Sequence, residues 1–214
     1  MIIVVVVAVK LIGLLVTNQV AITLYSTGDL EGSADQSTSL IEDPVTGKLI
    51  ESWLPWFNRG DAKAAAGDFT PAIDDFEKAL ELAPGERECM VRVNLSLSWE
   101  LLGDAYEQGG YHQGAVLLYE AAEAVIAEAG DRCSGPDEAS QQLDEAGKRL
   151  AEKKKNAEQA RDAEDAQQPG GKTPEEKLED LGDKGDASDK DKANGDSRDR
   201  GDQQGSDGLT EKPW

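Results

Sequence analysis

The chain has 214 residues, with 43 acidic side chains against 22 basic ones and a formal net charge of −21. Binding to nucleic acid or to anionic lipid by charge needs clustered Lys and Arg, and no basic stripe is present, so both are excluded as electrostatic partners. Large apolar residues nearly vanish after Asp131, which leaves roughly 110 residues in the middle to build a core, enough for one small domain.

Residues 1–16, MIIVVVVAVKLIGLLV, are almost all aliphatic, with Lys10 as their one charge. A spanning helix needs about 20 apolar residues. No basic residue precedes the run to set its orientation, and no small-residue cleavage site follows it. Three readings stay open. The segment is an uncleaved signal anchor whose start lies upstream, a marginal span that continues to Val20, or a buried strand or core helix, which four consecutive valines also suit. We expect the first two, an apolar membrane-anchor segment at 1–16.

Residues 17–130 carry internal repetition. The clearest unit lies in 53–85 and reads as two helices about a Gly67-Asp68 turn. Its first helix has small residues at Gly60, Ala62 and Ala66. Its second places Ala72, Ile73, Phe76, Ala79 and Leu80 on one helical stripe, with Pro71 in its first turn and Pro84-Gly85 at its end. Residues 88–130 repeat the plan as helices over 88–108 and 112–129. Shifted by 43, Gly67, Ala72, Phe76 and Ala79 fall on Gly110, Ala115, Tyr119 and Ala122; shifted by 36, Gly67-Asp68 falls on Gly103-Asp104. The second unit therefore reads as the same parts with about seven extra residues at the turn. A fainter copy lies in 17–45, where Gly28-Asp29-Leu30 stands for Gly67-Asp68-Phe69, and Ser33, Ser37 and Leu40 stand for Ala72, Phe76 and Ala79.

The unit Trp56…Gly60…Ala72-x3-Phe76…Pro84 resembles a tetratricopeptide repeat, whose pattern is Trp-x2-Leu-Gly-x2-Tyr…Ala-x3-Phe…Pro. It departs from that pattern at Arg59, where Leu is usual, and Lys63, where Tyr is usual. In the next unit Leu95 and Trp99 stand for those large residues, with Ser96 in place of Gly. The resemblance implies an all-α fold, a short right-handed solenoid of two to three helical hairpins, to which composition adds an apolar N-terminal helix and a disordered acidic tail. It also implies a concave face of first helices that receives a protein or peptide. On the matching positions the groove residues are Phe57, Asp61, Ala64, Met90, Val93, Leu97 and Glu100. This set is apolar with two acids, which suits an apolar or basic helix or extended peptide; alternatively, the chain's own C-terminal helix covers it. The layout of anchor, repeats and acidic Gly/Asp/Gln tail also resembles bacterial membrane proteins that accompany von Willebrand factor A-domain proteins and a MoxR-type AAA ATPase. That resemblance implies a single-pass protein of the bacterial cell membrane, its C-terminal part extracytoplasmic, with A-domain membrane proteins as candidate partners.

Cys89 and Cys133 lack the spacing of zinc or thioredoxin-type sites. If the helices 88–108 and 112–129 are antiparallel, the start of one lies near the end of the other. A disulfide is then feasible and would indicate an oxidising compartment; two unrelated buried thiols are the alternative. Residues 136–168 are rich in helix formers and have Leu143 and Leu150 as their only large apolar residues, which suits a capping or surface helix. Residues 169–214 have too little apolar surface to offset ordering entropy and read as a disordered acidic tail. The single histidine, His112, sits at a turn with no nucleophile pattern nearby, and no phosphate loop, HExxH or calcium loop is present. No enzymatic activity, cofactor or metal is expected. The function expected is a membrane-tethered adaptor for protein-protein interaction. The alternative is a structural envelope protein whose acidic tail serves as spacer or cell-wall interaction segment.

Overall fold

A computed structural model of the chain describes residues 2–43 and 51–167, and the expected tail, 169–214, lies outside the described residues. Among the described residues every regular element is helical: α1 (Ile2–Ser26), α2 (Leu30–Glu42), α3 (Leu54–Ala66), α4 (Phe69–Leu82), α5 (Gly85–Gln108), α6 (His112–Ala129), a 3-10 turn (Gly130–Cys133) and α7 (Glu138–Gln167). Each helix packs on the next in chain order, α7 also returns onto α5, and α1 reaches α3. Sequential pairing of antiparallel helices with short connections is the hairpin-solenoid arrangement. The apolar segment 1–16 and the first helix of the first repeat are not separate elements here, because α1 runs unbroken from Ile2 to Ser26. Among the described residues no helix is long and apolar enough to cross a membrane, so a transmembrane span finds no support in the fold.

The three hairpin turns share one local solution. Gly28, Gly67 and Gly110 sit at φ of +84°, +88° and +76°, in the left-handed region that residues with a Cβ enter at a cost. At the first turn Asp29 also caps α2, its carboxylate accepting from Gly32 N–H at 2.9 Å.

Within each hairpin the helices meet through a small residue. A Cβ on Gly60 would lie 2.8 Å from the Phe76 ring, and one on Gly103 would lie 2.6 Å from the Tyr119 ring. These two contacts set the register of the third hairpin. The shift of 43 holds throughout, so Trp99, Leu102, Gly103 and Tyr106 occupy the Trp-x2-Leu-Gly-x2-Tyr positions. Gly103 is the counterpart of Gly60 and not, as the 36-residue shift had it, of Gly67. The extra residues are not at the turn. They lengthen the start of α5, which has 24 residues against 13 in α3.

The cores follow from this register. Phe57, Ile73, Phe76, Val91 and Leu95 form one cluster; Val116, Tyr119, Leu150 and their alanine neighbours form the next, and Trp99 packs against both. In the first hairpin, on the shift of 39, Ala21 takes the place of Gly60 and Ser37 that of Phe76. Both are fully buried, and the Ser37 hydroxyl has no hydrogen-bond partner, an arrangement that costs stability.

Arg59 and Lys63, the two departures from the repeat pattern, have one common cause. Asp75 of α4 is 2% exposed. Its carboxylate takes a bidentate pair from Arg59 at 2.6 and 2.8 Å and an ammonium from Lys63 at 2.7 Å. Arg59 also donates to Thr38 of α2 at 3.1 Å and lies over the Trp56 ring. In the third hairpin the matching positions are Leu102, Tyr106 and Leu118, so all three polar residues are exchanged together for large apolar ones. Removing one partner of such a buried cluster leaves uncompensated charge. Asp75→Ala is expected to destabilise the fold by about 3 kcal/mol. The triple variant Arg59→Leu, Lys63→Tyr, Asp75→Leu is expected to recover most of that loss. Denaturant unfolding followed by circular dichroism checks both.

Candidate functional site

The first helices of the hairpins, α1, α3 and α5, are neighbours and carry the face that the repeat pattern makes the inner one, and a polar rung joins each neighbouring pair. Asn58 of α3 donates its Nδ2 to Asn18 Oδ1 of α1 at 2.8 Å. Asn94 of α5 donates to Asp61 Oδ1 of α3 at 2.7 Å. The last rung joins α5 to α7: the Arg149 guanidinium makes two 2.7 Å bonds to the Glu100 carboxylate, and Lys153 bridges Glu100 at 2.7 Å and Asp104 at 2.6 Å. Tyr119, which packs under Gly103, donates its hydroxyl to Asp104 at 2.9 Å. The packing core and the inner face are thereby tied at one residue.

The seven residues that the repeat pattern assigns to the groove do not form one open surface. Phe57 is buried in the core, its ring 5.6 Å from those of Trp53 and Phe76, and Ala64 is buried beside it. Val93, Leu97 and Glu100 come from the 36-residue shift. Met90 and Val93 lie in the extra turns at the start of α5. There Met90 packs on the Phe76 cluster, and Val93 on the cluster of Ala129, Cys133 and Leu143. In the 43-residue register the counterparts of Phe57, Asp61 and Ala64 are Glu100, Asp104 and Glu107. Glu100 is 2% exposed. Burial raises its pKa, but the hydrogen bonds and charges of Arg149 and Lys153 outweigh that and hold the carboxyl below its ordinary value. Leu97 is half-buried, as is Asp61, the one groove residue that joins two inner helices.

Asp61 differs from the other acids on this face. Glu100 and Asp104 are matched by cations from α7, and Glu107 lies 2.9 Å from His112, whereas the hydrogen-bond partner of Asp61 is the neutral Asn94 amide. Burial pushes its carboxyl up to about 7, an effect the Asn94 bond only partly offsets. Tyr25 of α1 is raised to about 12 by its own burial and by the Asp61 charge. The rung residues Asn18, Asn58, Asn94, Arg149 and Lys153 were not singled out by sequence. The signal that would have found the acids Glu100 and Asp104 as a pair is the segment 99–106, WELLGDAY, which fits the repeat pattern at each of its four marked positions.

At the other end of α5 the chain is pinned to α6. Cys89 and Cys133 are bonded, with an S–S distance of 2.06 Å. Glu88 beside them pairs with Arg92 at 2.9 Å and Arg132 at 2.8 Å, and Arg92 donates to the Val125 carbonyl at 2.7 Å. The hydrogen bond from Arg132 leads in holding the Glu88 carboxyl below its ordinary value.

A carboxyl whose pKa is higher in the folded than in the unfolded chain lowers stability as pH rises through that interval, here from about 4 to about 7. Asp61→Asn removes this slope. With partial solvent access allowed for, the variant is expected to exceed the wild type in stability by the order of 2 kcal/mol at about pH 8, the difference shrinking towards zero at about pH 4. Denaturant midpoints for the two proteins at both pH values give the test.

Residues 53–86 match the family model described as tetratricopeptide repeat. Nothing among curated proteins matches the chain. The matched stretch spans α3, α4 and the entry to α5. It marks one tetratricopeptide repeat within the chain, and such a repeat points to contacts between proteins.

Proposed function

We propose that the chain is a membrane-tethered adaptor that takes hold of a protein partner along the inner face of α1, α3 and α5. The observation that carries this reading is the pairing of Glu100 and Asp104 with Arg149 and Lys153 of α7. It is an example, within the molecule, of the inner face accepting cationic side chains from a packed helix. A partner helix that brings a cation to Asp61 and apolar side chains to Leu97 would continue the same pattern towards α1. No reaction is assigned: His112, the single histidine, is engaged with Glu107 at the turn before α6.

The tether is the aliphatic run 1–16, which enters the repeats as one continuous helix. The partner proposed is a von Willebrand factor A-domain membrane protein in a bacterial envelope-associated complex, on the likeness of layout noted above. The Cys89–Cys133 bond favours an oxidising, extracytoplasmic place for the repeats. A disulfide across 44 residues of sequence stabilises a fold by about 4 kcal/mol in the chain-entropy account.

Co-purification with a candidate A-domain partner tests the adaptor reading. Asp61→Lys together with Leu97→Glu is expected to lower recovery about tenfold, while removal of 168–214 leaves it unchanged. Loss of function on removing 168–214, with recovery indifferent to the two substitutions, would favour a structural envelope protein acting through its tail. The compartment has its own test. In cells lysed into an alkylating agent, the two cysteines are expected to be blocked from labelling unless a reductant is added first; free thiols would place the repeats in a reducing compartment.

A further inference from the structure

One face of α1 has no partner. Val16 and Val20 on it are 57 and 40% exposed. A shallow apolar groove runs along this helix, lined by Val16, Gln19, Val20, Thr23 and Leu24. The repeat register says what such a groove is for. At the positions of Val16, Val20 and Thr23, α3 carries Pro55, Arg59 and Ala62. Pro55 and Ala62 are buried, and Arg59 is bonded to Thr38 of α2. At the positions of Val16 and Val20, α5 carries Ser98, which is buried, and Leu102, which packs on the cluster holding Ile73 and Phe76. Ala105, at the Thr23 position of α5, is exposed; the Val16 and Val20 positions are thus covered in both following hairpins, and the Thr23 position in α3 alone. On α1 no described residue fills this seat.

We propose that a second copy of this chain fills the seat, α1 against α1 about a two-fold axis. Three observations select that occupant. The stretch 11–28 carries no charge in a chain of net −21; two copies meeting there bring no like charges together, whereas most other surfaces would set acid against acid. The helix that fills the seat on α3 presents small or aliphatic residues at i, i+4 and i+7, the buried Ser33, Ser37 and Leu40 of α2. The outward stripe of α1, Val16, Val20 and Thr23, has the same spacing and offers a matching ridge. The opposite end of the stack is closed by α7, whose outer side exposes Lys148, Glu152 and Lys155. A head-to-tail contact would bury those charges against the apolar groove, so the contact that closes is the isologous one.

The seat begins at Val16, the last residue of the proposed tether, but its test is read apart from the inner-face adaptor reading, as self-association of the full chain in mild detergent. Sedimentation velocity is expected to show a dimer for the wild type and a dissociation constant at least tenfold weaker for Val20→Glu, with Leu117→Glu, on exposed α6, unchanged. Under mild oxidation Val16→Cys is expected to cross-link between copies at least tenfold more than Leu117→Cys. Should Val20→Glu lose helicity, the Val16→Cys cross-link in the otherwise unaltered chain decides. A wild type that stays monomeric at about 100 µM would overturn the proposal. So would equal cross-linking at both cysteines, or a monomer that binds phosphatidylcholine vesicles through α1, which would make lipid the cover of this face.

Discussion

The structure depends on a close approach of two helices over a residue without a side chain. At Gly60 and Gly103 the backbone of one helix rests against the ring that the next helix supplies, Phe76 or Tyr119. Each ring is then almost fully buried, worth about 2–3 kcal/mol in removed apolar surface alone. The same approach fixes the register between helices and so determines which side chains of α3 and α5 face inward. Tyr119 shows the linkage within one residue. Its ring occupies the space over Gly103 while its hydroxyl holds Asp104, which in turn holds Lys153 of α7. Burial of the ring raises the phenol pKa, and Asp104 adds to the effect, so the hydroxyl remains a donor to the carboxylate at neutral pH.

Because the fold reads volume and pairing, residue identity at a repeat position is free to change when its neighbours change with it. The middle hairpin solves one junction with Arg59, Lys63 and Asp75, and the third solves the same junction with Leu102, Tyr106 and Leu118. Neither half of one solution is compatible with the other: Asp75 opposite a leucine and a tyrosine would be a buried charge without a cation. The first hairpin departs further. With Ala21 and Ser37 in place of a glycine and an aromatic ring, it keeps the close approach but loses the large buried ring, and it leaves a hydroxyl unsatisfied.

That explains which parts of the architecture could be read in the residues alone. Positive-φ glycines at hairpin turns, the alanine stripe of α4 and the Trp56-to-Pro84 spacing are local signals, and they located the helices of the second and third hairpins to within a few residues. The register of the third hairpin was not local. A glycine in a turn and a glycine under an aromatic ring look alike in a sequence, and the dipeptide Gly-Asp occurs at both Gly67-Asp68 and Gly103-Asp104. Choosing the wrong one moved the assigned inner face by two helical turns, onto Met90 and Val93, which pack half-buried against the core clusters. The asparagine rungs were illegible for a different reason: a hydrogen bond between helices 33 or 40 residues apart leaves no trace in either helix taken singly.

The inner face that results is graded along the stack. At its C-terminal end two acids are met by two cations of α7, so that end is polar and internally balanced. In the middle Asp61 is held by an amide alone, and its charge is costly. Beyond it, towards α1, Leu15 and Ile22 are exposed and uncharged. A ligand on the proposed reading meets an ordered series of a neutralised ion pair, a carboxylate that gains from an incoming cation, and an apolar end. Those three environments favour different side chains, so a helix or extended segment with a basic residue at its centre fits in one direction better than in the other. Orientation, in that account, comes from α7: by neutralising Glu100 and Asp104 it removes the acids that would otherwise compete with Asp61 for the same cation.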